Sequence, residues 1–121
     1  MVRLVLRIDF DDERYIGHGR IELLELIGKH GSILKAAKAM NMSYKRAWYL
    51  VDDFSACFSE PLVARQHGGK GGGSAALTDF GCEVVARYRR MELHATKAIK
   101  DDIAALRRHV PTTRGKGGVE R

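Results

Sequence analysis

Hydrophobic positions follow a strand period only near the start of this 121-residue chain and a helical period through most of the rest. Residues 3–10 alternate apolar side chains with more polar or smaller ones, which predicts a half-buried strand. Residues 11–19 are predicted to form a loop. Apolar side chains then recur at intervals of three and four over residues 20–30, which indicates a helix that Gly31 is placed to end. The apolar positions of the strand are Leu4, Leu6, Ile8 and Phe10.

Two further helices, separated by a tight turn, are predicted immediately after Gly31. Ser32 can cap a short helix over residues 33–40, and Ser43 can cap another helix that begins at Tyr44. Between them, Asn41 can adopt the left-handed backbone conformation that a tight turn needs. This layout is typical of a helix-turn-helix, in which the first turn of the second helix faces base edges in the major groove of DNA.

The second of these helices has an apolar face and a polar face. The apolar side chains, spaced by three and four residues, are expected to pack on the core. Trp48 is also interpreted as a core residue because it is large and apolar. The remaining polar face carries side chains suited to contact bases and phosphates. The predicted core positions are Ala47, Leu50, Val51, Phe54 and Phe58, and the positions nearer the outside are Lys45, Arg46, Tyr49 and Asp53.

A glycine-rich hairpin is predicted next, because residues 61–65 and 74–77 can form two short strands. Residues 66–73 join them and contain five glycines around Lys70. The nucleotide-binding pattern G-x-x-x-x-G-K-[ST] is missing, since glycine follows Lys70. Such a tip can approach a sugar-phosphate backbone closely, although a merely flexible loop would have the same composition. The predicted fold class is mainly α with a small β-hairpin, a winged helix-turn-helix.

One long helix is predicted over residues 78–110, because the segment starts with Thr78, lacks proline and carries a continuous apolar stripe. At 1.5 Å per residue it would extend about 45–50 Å, more than a body of this size can cover. A two-fold homodimer would cover the excess stripe, and a helix folded back at residues 95–97 is the alternative. Residues 1–110 would form the domain, and residues 111–121 a disordered tail. The stripe positions assigned to dimerisation are Phe80, Val84, Tyr88, Met91, Ala95, Ile99, Ile103 and Leu106.

Charge is unevenly distributed along the chain, whose net charge is +6. Residues 9–25 carry six acidic side chains against two basic ones, whereas residues 32–78 carry six basic against three acidic ones. The positive excess therefore falls on the predicted helix-turn-helix and wing, as attraction to phosphates requires.

Several function classes are not expected from this sequence. The five histidines and two cysteines show no catalytic or metal-ligand spacing, so neither an enzyme nor a metal, cofactor or small-molecule site is predicted. A signal peptide and an apolar run of membrane-spanning length are also missing, so a cytoplasmic protein without membrane contact is expected.

The chain resembles the N-terminal DNA-binding domain of molybdate-responsive transcriptional regulators of the ModE type. The similar stretches are MSYKRAW at residues 42–48, PLVAR at 61–65, GGKGGG at 68–73 and LTDFG at 77–81. LysR-type regulators are more distantly similar. The resemblance implies a second motif helix that reads the major groove, a wing that meets the DNA backbone and a long helix that dimerises. Regulators of this type continue into small β-domains that bind molybdate. This sequence is expected to lack those domains, so no molybdate binding is expected of it.

Two functions are therefore considered. In the first, the protein is a homodimer that regulates transcription. It binds double-stranded DNA sequence-specifically, and its binding site is an inverted repeat. The alternative is a protein-interaction module that pairs with a full-length regulator through the long helix. Only the first requires the cations of the second helix and the wing. The candidate DNA contacts, in part implied by the resemblance, are Ser32, Lys35, Ser43, Tyr44, Lys45, Arg46, Tyr49, Arg65, Gly69, Lys70 and Gly71.

Overall fold

The computed structural model describes residues 2–66 and 73–112, which form five helices and two separate antiparallel hairpins. This arrangement confirms the predicted winged helix-turn-helix with helices at its C-terminal end. In chain order, the elements are β1 (Arg7–Asp9), β2 (Tyr15–Gly17), α1 (His18–His30), α2 (Ile33–Ala39), α3 (Tyr44–Ser55), β3 (Val63–Gln66), β4 (Ser74–Leu77), α4 (Asp79–Ala98) and α5 (Lys100–Arg107).

The N-terminal hairpin differs from the sequence prediction in two ways. Strand β1 is only three residues long, and its partner β2 lies in the stretch predicted to be a loop. Asp11 shapes the turn, because its Oδ1 accepts hydrogen bonds from the backbone N–H groups two and three residues later. Since α1 begins at His18, directly after β2, no strand partner remains for Leu4 and Leu6. Their alternation produces partial burial without a ladder.

The helix-turn-helix has the local chemistry that the sequence predicts. Gly31 ends α1 in the left-handed conformation, with φ 69°, and Asn41 occupies the turn between α2 and α3 with φ 63°. Ser32 and Ser43 each accept a hydrogen bond from the backbone N–H three residues later, at 3.1 Å in both cases. These caps fix where α2 and α3 begin, and therefore which side chains occupy the first turn of α3.

Two clusters of buried side chains form the core, and α1 contributes to both. In the first cluster, Ala36, Ala37 and Ala47 are fully buried, so small side chains allow α2 and α3 to approach closely. The second cluster joins α1 to the end of α3, the base of the wing and α4. Its members are Ile16, Ile21, Leu24, Phe54, Leu62, Val84 and Tyr88.

A largely buried ion pair connects α1 to α3. Arg20 is only 8% exposed, and its guanidinium is 2.5 Å from the Asp53 carboxylate and 3.9 Å from the centre of the Tyr15 ring. Burial is the largest single influence and opposes the charge of Arg20, but the hydrogen bonds and electrostatic attraction of Asp53 and Tyr15 together outweigh it and raise the pKa of the guanidinium. The Asp53 side chain is 38% exposed and so lies nearer the outside than the core positions, but α1 supplies a cation that pairs with it on that side of α3.

The predicted long helix is interrupted at Ile99, so α4 and α5 replace a single helix over residues 78–110. Ile99 has φ −101° and ψ 6°, outside helical geometry. Hydrogen bonds from Ile99 N–H to the Ala95 carbonyl and from Ile103 N–H to the Ile99 carbonyl continue across the break. The alternative of a chain reversal at residues 95–97 is also wrong, because these residues lie within α4. No helix in the described part of the chain is long and apolar enough to cross a membrane.

Candidate nucleic-acid interface

The outward face of α3 carries cationic and aromatic side chains from its first two turns. Lys45 and Tyr49 are one turn apart on the side opposite the buried Ala47 and Val51. Tyr49 is 59% exposed, and Arg46, on the flank of the same face, is exposed as well. The helix therefore presents hydrogen-bond donors and an aromatic ring to the outside at the end that a recognition helix directs into the major groove.

The N-terminal end of α3 is suited to meet a phosphate. The Ser43 hydroxyl oxygen accepts the hydrogen bond from the Arg46 backbone N–H, which leaves its own proton free to donate. No acidic side chain stands in the first turn of α3, so the positive end of the helix dipole is not neutralised there.

A cleft of about 890 Å³ lies between α3 and the wing. Ser32 from the start of α2, Tyr44 from α3 and Arg65 from β3 all line it, so three of the predicted contact residues converge from three elements. Trp48 lies one turn after Tyr44 on the same flank of α3 and also lines the cleft.

Trp48 is a residue whose role the sequence interpretation only partly captured. Its side chain is half-buried and packs against the first core cluster, but the Arg65 guanidinium lies 4.5 Å from the centre of its ring. The spacing of four residues from Tyr44 to Trp48 was the available signal, because it places both rings on one flank of α3. The half-exposed Leu34 and the wing residue Ser74 also line the cleft and were not predicted.

Four exposed cations lie on or beside this surface and have no acidic partner in the described part of the chain. Within residues 2–66 and 73–112, no carboxylate lies within 4.0 Å of the charged groups of Lys35, Lys45, Arg46 or Arg65. By contrast, the guanidinium groups between α1 and its neighbours are paired, as in Arg89 with Glu25 and Glu92. Unpaired cations are available to neutralise phosphates, whereas paired ones are already compensated.

The predicted DNA contacts thus fall into four groups. Ser32, Tyr44 and Arg65 share the cleft, and Ser43, Lys45, Arg46 and Tyr49 lie on the adjoining surface of α3. Lys35 is exposed on α2. Gly69, Lys70 and Gly71, assigned to the tip of the wing, lie outside the described residues, as does most of the predicted tail.

The apolar stripe assigned to dimerisation divides into two parts. Val84 and Tyr88 are buried within the protomer's own core, and Tyr88 donates a hydrogen bond to the Leu6 carbonyl oxygen at 2.7 Å. Phe80 packs on Phe58 with ring centroids 5.3 Å apart. The assignment of these three positions to a dimer contact is corrected, because the second core cluster, the N-terminal segment and the residues that follow α3 already cover them. The positions left on the outer part of the stripe are Met91, Ala95, Ile99, Ile103 and Leu106.

This outer stripe is partly accessible to solvent. Met91 is 37% exposed and Leu106 66% exposed, and the half-buried Ile99 and Ile103 lie between them. An apolar groove of about 300 Å³ is lined by Val2 and by residues of α5 and the turn that follows it. The described residues contain no cluster of histidine, cysteine and carboxylate side chains that could hold a metal ion.

Comparison with known proteins finds the chain similar to a group of bacterial proteins. It is 42% identical over 94 residues to the molybdenum transport protein ModE of Azotobacter vinelandii, covering 78% of this chain and 35% of that protein. It is 33% identical over 104 residues to the DNA-binding transcriptional dual regulator ModE of Escherichia coli (strain K12), covering 84% of this chain and 40% of that protein. The molybdenum-pterin-binding protein MopA of Rhodobacter capsulatus is 40% identical over 84 residues, covering 69% of this chain and 32% of that protein. The chain thus spans well under half the length of these relatives. No protein-family model matches it.

Proposed function

We propose, since the chain is homologous to the transcriptional regulators of the ModE family, that it binds double-stranded DNA sequence-specifically and thereby regulates transcription. The observation that carries this proposal is the set of exposed cations without acidic partners on α3, α2 and the wing. Lys45 and Arg46 would contact base edges or phosphates from the first turn of α3. Arg65 would contact the backbone from the wing.

The proposal extends to a homodimer that binds an inverted repeat. The outer stripe from Met91 to Leu106 supports it, because exposed apolar side chains at this spacing are satisfied by packing against an equivalent helix. A two-fold axis through this contact would present two copies of α3 to one duplex. Their separation would set the spacing of the half-sites at about 34–36 Å, one turn of DNA, or a multiple of it.

The same stripe favours one alternative, a protein-interaction module that pairs with a longer relative. That function uses α4 and α5 and does not require the cations of α3. The two functions are therefore separable by substitution on α3 alone.

The test is selection of bound duplexes from a random DNA library, followed by anisotropy titration of the selected sequence at several salt concentrations. Lys45→Ala and Arg46→Ala are each expected to cost about 1–3 kcal/mol of binding free energy and to relax the preference at the contacted base pair. Lys70→Ala, in the proposed wing tip, is expected to weaken binding uniformly across sequences and to reduce the salt slope by about 1.

Lys97→Ala is the matched control, because it removes the same charge from an exposed position in the last turn of α4. It should bind the selected duplex like the wild type, and circular dichroism should show all variants folded. If neither α3 substitution changes the affinity, the assignment of α3 as the reading helix fails. If no duplex is enriched while the chain still self-associates, the alternative function is favoured.

A further inference from the structure

The contact between Arg65 and Trp48 is the one place in the described structure where a wing cation lies over an aromatic ring of the reading helix. The guanidinium is 4.5 Å from the centre of the indole ring, and both residues line the cleft between α3 and the wing. Trp48 is held from behind by the first core cluster, whereas Arg65 is exposed and has no carboxylate partner among the described residues.

This contact places the guanidinium over the face of the indole ring. A guanidinium stacked on an indole ring keeps its N–H donors in its own plane, where they can still form paired hydrogen bonds to a phosphate. An exposed arginine without such a contact loses rotamer freedom when it binds a phosphate. An arginine held against a ring has lost part of that freedom before the phosphate binds. The contact with Trp48 therefore lowers the entropy cost of anion binding by Arg65 and leaves the charge of Arg65 uncompensated.

At the position of Arg65, the wing is held by the pairing of its own strands and also by a hydrogen bond to the end of α1. Ala75, the β4 partner of Arg65, is buried, and its N–H donates to the Gly31 carbonyl at 3.0 Å. Strand pairing thus fixes the Cα position of Arg65 within the wing, and Trp48 contacts the other end of its side chain.

We infer that Trp48 is a positioning residue for DNA binding: it holds the Arg65 guanidinium over α3, so that one DNA phosphate is bound from the cleft in register with the bases that α3 contacts. This inference rests on the proposed DNA-binding function. It makes the affinity contribution of Trp48 depend on Arg65, although Trp48 itself touches no DNA.

A double-mutant cycle tests it, with the affinity of the wild type and of Trp48→Leu, Arg65→Ala and the double variant measured on the selected duplex. Trp48→Leu is expected to weaken binding about 2- to 5-fold, the value of an exposed cation–π contact. In the Arg65→Ala background the same substitution should have almost no effect. An equal loss in both backgrounds would overturn the inference, because it would show that Trp48 acts through packing alone.

Two further variants distinguish loss of the contact between Trp48 and Arg65 from misfolding of Trp48→Leu. Trp48→Phe keeps an aromatic face and should retain most of the affinity. Arg65→Lys keeps the charge and leaves the packing of Trp48 untouched, but its ammonium lacks the planar group that stacks and forms paired hydrogen bonds to a phosphate, so it should lose at least 2- to 5-fold in affinity. Wild-type affinity in Arg65→Lys would contradict the inference.

The contact itself can be measured without DNA, because Trp48 is the single tryptophan of the chain. Arg65→Ala should shift the emission of Trp48 in the free protein, and an identical spectrum would refute the stack. Failure of the proposed function is a different result: the wild type would then bind no duplex, whatever the emission shows. Binding by the wild type with an additive cycle would leave the proposed function standing and remove only the role of Trp48.

Discussion

Gly81 lies in the first turn of α4, where the close approach of the segment leading into the wing leaves no room for a side chain. A Cβ at this position would collide with the Leu62 carbonyl oxygen, which belongs to the segment leading into the wing. The same joint is closed by Thr78, whose hydroxyl accepts from the Gly81 N–H at 2.9 Å and donates to the Pro61 carbonyl at 2.7 Å. Both neighbours are backbone or are fixed by it, so little can move to admit a methyl group.

We expect Gly81→Ala to lower the free energy of unfolding by about 1–3 kcal/mol, the usual cost of overpacking. The gain of about 1 kcal/mol in helix propensity from glycine to alanine does not offset a collision with a carbonyl group. Gly19→Ala is the matched control, because Gly19 is in α1 and has nothing within 4 Å of its added Cβ. Urea unfolding should find Gly19→Ala at least as stable as the wild type. Equal stability of the two variants would show that the joint tolerates a side chain.

At the scale of elements, α1 is bound to α4 by charge as well as by apolar packing. Arg89 on α4 donates to both carboxylate oxygens of Glu25 on α1, at 3.0 and 2.7 Å, and also to Glu92 at 2.6 Å. The hydrogen bonds from Arg89 hold the pKa of Glu25 below its ordinary value of 4.5, although partial burial opposes the shift. Because the pKa of Glu25 is lowered, the stabilisation from the ion pair between α1 and α4 depends on pH.

Because the pKa of Glu25 is lower in the folded state, its contribution to stability is complete above pH 4.5 and is lost as the pH falls through the folded-state pKa. Glu25→Gln should therefore lower the thermal midpoint at pH 7 and show a smaller further decrease between pH 5 and pH 3. Side chains more than a third exposed limit the effect to about 1 kcal/mol or less. Glu83→Gln, which removes an ion pair within α4 alone, should cost less at pH 7. Parallel curves for the wild type and Glu25→Gln would contradict this role.

The elements that the sequence predicts well are those with a local cause. The caps Ser32, Ser43 and Thr78 and the left-handed Asn41 depend on residues within four positions, and all are found as predicted. β2 was missed because strand pairing depends on residues elsewhere in the chain, and the break at Ile99 was also missed.

The candidate site shows the same division between local and long-range information. Exposure of Lys45, Arg46 and Tyr49 follows from the helical period of α3. The stack of Arg65 on Trp48 joins residues 17 positions apart on two elements, and no periodicity in one helix can indicate it. The pairing of Arg20 with Asp53 is hidden for the same reason, since each lies on its own helix.

At the scale of the whole molecule, two surfaces remain open for partners and lie on different elements. The cations of α2, α3 and the wing form one, and the outer apolar stripe of α4 and α5 forms the other. Since the first half of the stripe is buried inside the protomer, the proposed dimer contact is confined to the part beyond Tyr88. A shorter contact makes each remaining apolar residue more important to association.

Leu106→Glu is therefore expected to convert a dimer into a monomer at micromolar concentration, as measured by sedimentation equilibrium. Leu106 is 66% exposed in the protomer, so a charge there should leave the fold intact while placing an unpaired carboxylate in the dimer contact. Ala104→Glu adds the same charge to the same helix but off the stripe, and should remain dimeric. DNA binding supplies the second measurement: a monomer should keep its affinity for a single half-site and lose the added affinity for an inverted repeat, because linkage of two half-sites requires the dimer. A dimeric Leu106→Glu would move the contact away from α5, and a monomeric wild type would remove it from the proposal.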